Sequence, residues 1–155
     1  MRILVFSDTH GYTEHMKKAI LSKNPDVVIH LGDYLRDSEL MASNFPNIVF
    51  HSVLGNCDIG SPGEKELLLL AGSKRIFAAH GHTFAVKSGV HRLADYAAEK
   101  NADIALFGHT HRPHQMYIAN VLLINPGSAG LGVCPTCAFL QFDGDKILKA
   151  EIQKL

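Results

Sequence analysis

Residues 3–10 read Ile3-Leu4-Val5-Phe6-Ser7-Asp8-Thr9-His10: four apolar residues in a row, then a polar turn carrying an acid and an imidazole. An unbroken apolar run of this length is what a strand buried on both faces requires, as in a parallel sheet covered by helices. The pattern recurs four times. Val27 to Leu31 runs into Gly32-Asp33, Ile48 to Leu54 into Gly55-Asn56-Cys57-Asp58, Arg75 to Ala79 into His80-Gly81-His82, and Ile104 to Phe107 into Gly108-His109-Thr110-His111. In open α/β sheets, ligands sit beyond the carboxyl ends of the strands. Five such ends bring Asp8, His10, Asp33, Asn56, His80, His109 and His111 towards one place. That is too many donors for one ordinary cation site and about right for two.

The segments between these strands complete an α/β pattern. Thr13 caps a helix running to about Ser22, with Met16, Ala19 and Ile20 on one face, and a shorter helix covers Ser38 to Ser43. Strand, helix, strand, helix, strand is a βαβ start. Glu66 to Leu70 and Lys74 to Ala79 flank Ala71-Gly72-Ser73 as a hairpin. Gly89 to Lys100 is helical, with Leu93, Tyr96 and Ala97 at helical spacing. Gln115 to Ile118, Val121 to Ile124, Ala138 to Phe142 and Lys146 to Ile152 read as antiparallel strands, the last two joined by Asp143-Gly144, and they predict a second sheet in the C-terminal half. With no repeat, low-complexity tract or linker, residues 1–155 form one domain.

Composition narrows the partners. Lys+Arg and Asp+Glu both number 15, so the chain lacks the basic excess that gripping long nucleic acid demands. The N-terminal apolar run is too short for a signal-peptide core, and no run approaches the ~20 residues of a membrane span. Three cysteines, an odd number, argue against a disulfide framework and fit a reducing cytosol, so the expected location is cytoplasmic. Cys134-Pro135-Thr136-Cys137 lacks the second pair of a zinc ribbon and reads as incidental thiols. Of ten histidines, five lie in the strand-end motifs. His30 and His51 fall in strands as satisfied core or surface residues, and His114, after Arg112-Pro113, belongs to a rim. An apolar surface patch leads to an expectation of a homo-oligomer.

The donor set mixes carboxylate, amide oxygen and imidazole and contains no thiolate. Such sets suit Mn2+, Fe2+, Zn2+ and related divalent ions. A carboxylate such as Asp33 has two oxygens and can bridge two ions. Two ions about 3.5–4 Å apart lower the pKa of a bridging water and clamp the oxygens of an in-line displacement at phosphorus.

In combination these motifs resemble the successive motifs of calcineurin-like metallophosphoesterases. Length, the Asn56-Cys57-Asp58 variant and Asn125-Pro126-Gly127-Ser128 are most similar to the small prokaryotic phosphodiesterase branch. The resemblance runs from Ile3 to about Ser128 and implies a two-sheet β-sandwich flanked by helices, a four-layer αββα arrangement. It implies that Asp8, His10 and His111 hold one divalent ion, that Asn56, His80 and His109 hold the other, and that Asp33 bridges them. Two such ions are expected, Mn2+ first, with Ni2+, Fe2+, Zn2+ and Mg2+ as alternatives. The implied reaction is hydrolysis of a small phosphoester, a phosphodiester foremost, by attack of a metal-bridging hydroxide. Larger branches place a His after the metal-binding Asn, where this chain has Cys57, a poorer acid. Asn56, Cys57, Asp58 and His82 are therefore the catalytic candidates, with Asp58 or His82 available to help the leaving group. A phosphomonoesterase or protein phosphatase of the same fold, and a non-catalytic scaffold like the retromer subunit of that fold, are the alternatives.

Overall fold

β1 (Arg2–Phe6) lies in the middle of a five-stranded sheet, and its alternation explains the apolar run. Ile3 and Val5 face inward to a core shared with the second sheet, while Leu4 and Phe6 face outward to helices. The computed structural model describes residues 1–130, 132 and 134–155. β2 (Val27–His30) and β3 (Val49–Ser52) pair parallel to β1 in turn, connected by α1 (Glu14–Lys23) and α2 (Leu35–Asn44). Met16, Ala19 and Ile20 of α1 and Met41 of α2 cover the outer face of this sheet.

The second sheet begins with the expected hairpin, β4 (Glu66–Ala71) and β5 (Lys74–Ala79). It continues through α3 (His91–Glu99), β6 (Ile104–Leu106), β7 (His114–Ile118) and β8 (Val121–Asn125), in the spatial order β4-β5-β6-β8-β7. Leu93, Ala94 and Ala97 of α3 pack on its outer face against Phe77, Ala105 and Leu123. Helices, sheet, sheet, helix is the four-layer arrangement implied by the motifs.

Three elements differ from their sequence reading. The last hairpin, β9 (Thr136–Asp143) and β10 (Lys146–Lys154), leaves the second sheet and completes the first, with β9 antiparallel to β1. β8 is antiparallel to β7 yet parallel to β6. α2 starts at Leu35, three residues before the expected Ser38, because the Tyr34 and Leu35 N–H groups donate to the distant Asp58 carboxylate. Cys137 is buried in β9 among the residues under α1, where burial pushes its thiol up to about 12, while Cys134 is exposed; both are free, in accord with the incidental reading. Among the described residues, no helix is long and apolar enough to cross a membrane.

His30 ends β2 fully buried, and its partners fix its tautomer. Nδ1 accepts from the Gly32 N–H at 3.3 Å, so Nε2 carries the proton and donates to Thr9 Oγ1 at 3.1 Å. Burial lowers its pKa from 6.5 to about 4, outweighing the nearby carboxylates that act the other way. Above pH 6.5 the ring is neutral folded and unfolded; as pH falls from 6.5 towards 4 only the unfolded chain takes the proton, so stability drops. The loss approaches roughly 3 kcal/mol at pH 4, with a slope of up to about 1.4 kcal/mol per pH unit. Urea unfolding across that window should show a shallower slope in His30→Gln than in the wild type, by the His30 contribution, while that of His109 remains.

Candidate metal centre

The first candidate ligand of each loop lies within four residues of a strand end, and the loops interlock before any ion is considered. Asp8 Oδ2 accepts the His109 N–H at 3.1 Å, and the Ser128 hydroxyl donates to the Asp8 carbonyl at 2.8 Å. Asp33 Oδ1 accepts the Cys57 N–H at 2.9 Å. Asp58 accepts four backbone donors, from Asp33, Tyr34, Leu35 and Gly55, at 2.7–3.0 Å. Glycine is required where the loops approach most closely: a Cβ on Gly55 would strike the Asp33 carboxylate, and one on Gly108 the Ser7 hydroxyl. Asp8, His10, Asp33, His109 and His111 all have positive φ, between 48° and 67°. Left-handed backbone costs a non-glycine residue free energy and concentrates at functional sites. Five of the seven candidate ligands carry that strain.

What remains of these side chains points into a common cradle. The ligand atoms of Asp8, His10, Asp33 and His111 lie within 4.8 Å of one another. His111 Nε2 is 3.1 Å from Asp8 Oδ1, and His10 Nε2 is 3.7 Å from Asp33 Oδ2. Asp8 Oδ1 and His10 Nε2 are buried and have no partner in hydrogen-bond geometry among the described residues. Burial works to raise the Asp8 pKa, but His111 and the His80 charge hold it below the ordinary carboxylate range, and the same contact raises His111.

The second set opens beside the first. His80 Nδ1 is 2.7 Å from the Leu31 carbonyl and must donate to it, so a neutral ring presents a lone pair at Nε2. That nitrogen faces Asn56 Oδ1 at 3.1 Å, Asp33 Oδ1 at 3.6 Å and Asp8 Oδ1 at 4.0 Å. With a neutral His80 ring, four acceptors converge there, a crowding that a cation in the middle would relieve. The His109 ring lies 5.0 Å from that of His80, and burial, then the His80 and Lys87 charges, lower its pKa to about 4. All seven sequence-derived ligands are thus brought to one place, and their oxygen and nitrogen donors fit divalent ions.

The four catalytic candidates separate. Asn56 faces the cradle with its oxygen while its Nδ2 donates to Cys57 Sγ at 3.4 Å. Cys57 is exposed at the edge, its thiol pushed up to about 11 by loss of solvation and by the Asp33 and Asp58 carboxylates. Asp58 is turned away, both oxygens occupied by backbone N–H groups. His82 opens a short 3₁₀ turn, His82–Phe84, with its ring 5.3 Å from His80 and 6.1 Å from His109 and its Nδ1 buried without a hydrogen bond among the described residues. Sequence reasoning missed Asn125, whose amide donates to the Gly108 carbonyl at 2.9 Å and to Thr110 Oγ1 at 3.0 Å, fixing the loop that carries His109 and His111. Its place in Asn125-Pro126-Gly127-Ser128 was the available signal.

Known proteins resemble this chain in sequence and fold. The model of the calcineurin-like phosphoesterase superfamily domain matches residues 1–145. A probable metallophosphoesterase of Bacillus subtilis is 34% identical over 131 residues, covering 84% of this chain and 76% of its own. A phosphodiesterase of Methanocaldococcus jannaschii is 29% identical over 151 residues, covering 82% and 83%. The crystal structure of a conserved uncharacterized protein of Streptococcus pneumoniae, 28% identical, superposes with a TM-score of 0.80 over 99% of this chain and 88% of that one.

Replacing Asp58 by Asn would turn an NH2 group towards backbone donors and remove a charge that four of them share. Hydrogen bonds to charged groups contribute about 1.5–3 kcal/mol each way they are broken, so Asp58→Asn should lower the unfolding free energy of the metal-free protein by roughly 2–4 kcal/mol. Urea denaturation measures it; an unchanged midpoint would contradict the interlocking described here.

Proposed function

This chain belongs to the calcineurin-like phosphoesterase superfamily, and on that premise we propose that it is a phosphodiesterase working through two divalent cations. Asp8, His10 and His111 hold one cation, Asn56, His80 and His109 the other, and Asp33 lies between them. The observation that carries this reading is the convergence of Asp8, Asp33, Asn56 and three imidazoles, with the ligand atoms of Asp8, His10, Asp33 and His111 within 4.8 Å of one another and His80 Nε2 facing Asn56, Asp33 and Asp8. Two divalent ions there would supply the acidity that yields hydroxide at neutral pH and the positive charge that faces the phosphoryl oxygens. Mn2+ fits the mixed oxygen and nitrogen donors, with Fe2+, Zn2+, Ni2+ and Mg2+ as alternatives.

The chain's own residues do the rest. Asp58 holds the Asp33 loop, so it acts as a positioning residue, and Asn125 does the same for the loop of His109 and His111. In hydrolysis the oxygen of water bonds to phosphorus, the ester P–O bond breaks, and the departing oxygen takes a proton at the open edge. A thiol as weakly acidic as Cys57 is a poor donor there, which favours diesters whose leaving groups depart without strong acid assistance. The cradle is shallow: His111, Asn56 and Cys57 are exposed, which suits small or exposed phosphoesters. Seven competent donors, five of them on strained backbone, favour an enzyme over a scaffold of the same fold. Balanced charge argues against long nucleic acid, and free cysteines agree with a cytoplasmic, single-domain enzyme.

Asp33→Asn should lower Mn2+-dependent hydrolysis of bis(p-nitrophenyl) phosphate by at least about a hundredfold, as loss of a shared ligand demands. Calorimetric titration of the metal-free wild type should give two equivalents of Mn2+, and His80→Ala one. Full activity in Asp33→Asn with metal present refutes the assignment; a single equivalent in the wild type refutes the paired centre.

A further inference from the structure

Beside the cradle runs a groove of about 850 Å³ that the proposed chemistry leaves unused. One wall is the loop from Val86 to the start of α3, the other the chain from Thr110 through β7, with Phe107 also lining it. The groove adjoins the loop of the metal centre at Thr110, which stands in the chain between the candidate ligands His109 and His111. β7 is an edge strand, and its alternation turns His114, Met116 and Ile118 to the groove, while Gln115 reaches back to the Ala150 carbonyl. α3 covers the neighbouring strands of this face and leaves the strip along β7 open.

The lining is of two kinds. Val86, Val90, Phe107, Met116 and Ile118 give an apolar surface of the sort that receives a planar or apolar group. Lys87 and Arg112 are exposed on opposite walls, His91 and His114 add imidazoles, and no carboxylate lines the groove among the described residues. Lys87 lies close enough to act electrostatically on both His109 and His111. In a chain of zero net charge, a cationic groove beside the reaction centre selects for negative charge. Arg112 brings a guanidinium that stacks on a flat ring or forks a phosphate.

We propose that this groove binds one ester arm of the substrate, and that the arm is a nucleotidyl group ending in a second phosphate: the substrate class is a short, 5′-phosphorylated dinucleotide-type phosphodiester. The inference rests on the phosphodiesterase reading above. The base lies against Val90, Met116 and Ile118, and the terminal phosphate lies between Lys87 and Arg112. An acyl arm would use the apolar lining and leave both cations without a partner, so the charged arm is the better fit.

The Mn2+-loaded enzyme is assayed on three diesters: bis(p-nitrophenyl) phosphate, ApA and pApA, which differs from ApA only by its 5′-phosphate. The expected kcat/KM for pApA exceeds that for ApA by about tenfold, chiefly through KM, the magnitude of two exposed charge contacts. That preference should shrink towards one when salt is raised from 50 to 500 mM, and it should collapse in K87Q/R112Q. Binding of AMP, followed by calorimetry, gives a readout independent of turnover: K87Q/R112Q and Met116→Glu should each weaken it about tenfold. Equal rates for pApA and ApA in a wild type that cleaves bis(p-nitrophenyl) phosphate overturn the groove assignment and leave the phosphodiesterase reading intact. Failure to cleave any diester with any metal overturns that reading instead. AMP affinity then decides the groove alone, and an affinity unmoved by the substitutions refutes it.

Discussion

Carboxylates that accept backbone N–H groups from other loops hold this site together. Asp8 takes the N–H of His109, Asp33 that of Cys57, and Asp58 those of Asp33, Tyr34, Leu35 and Gly55. These are charge-assisted bonds, roughly twice as strong as neutral ones. Apart from the Gly55 bond, they join residues 23 to 101 apart in the chain. Asp8 spends Oδ2 on architecture and turns Oδ1 to the cradle, whereas Asp33 Oδ1 does both, accepting from Cys57 while facing His80, and its Oδ2 faces His10. A carboxylate with both oxygens free would be a better ligand and a worse clamp.

The cost of this geometry is met elsewhere. Positive φ at Asp8, His10, Asp33, His109 and His111 destabilises the loops, and with His80 neutral the convergence of acceptors adds repulsion in the metal-free protein. Two sheets buried on both faces offset it. Phe6, Phe77, Phe107, Ile29 and Leu106 are essentially inaccessible to water, and each sits within a residue or a few of a strained loop. The rigid strand ends leave the loops little room to relax, so the strain persists until a cation removes the repulsion. This is why the strand ends rather than the longer loops carry the donors.

Most of the fold and nearly all of the cradle were legible in the sequence, for one physical reason: a strand buried on both faces is apolar without interruption, and the chain must turn polar where it leaves the sheet. That local rule located β1, β2, β5 and β6 and the donors that follow them. Where a distant partner decided the outcome, the local rule was silent. The start of α2 depends on Asp58, more than twenty residues on. The sheet to which β9 and β10 belong depends on β1, at the other end of the chain, and alternation alone cannot distinguish one sheet's edge from the other's. Asn125 looked like a turn residue because its two acceptors, on Gly108 and Thr110, are brought near only by the completed second sheet.

The Asp58 environment also bears on how chemistry is divided in such a site. A leaving-group acid must exchange a proton, and so must have an oxygen free to hold it. Asp58 has none: Oδ2 is taken by Asp33 and Gly55, Oδ1 by Tyr34 and Leu35. The residue next to it, Cys57, is exposed but is held far above neutral pKa by loss of solvation and by the neighbouring carboxylates. Proximity in sequence to a candidate ligand thus marks two opposite roles, one residue that sets the loop and one that faces solvent. Specificity has to come from outside this pair, and the cationic groove beyond Thr110 is the part of the surface with the room, the charge and the place beside the cradle's loop to supply it.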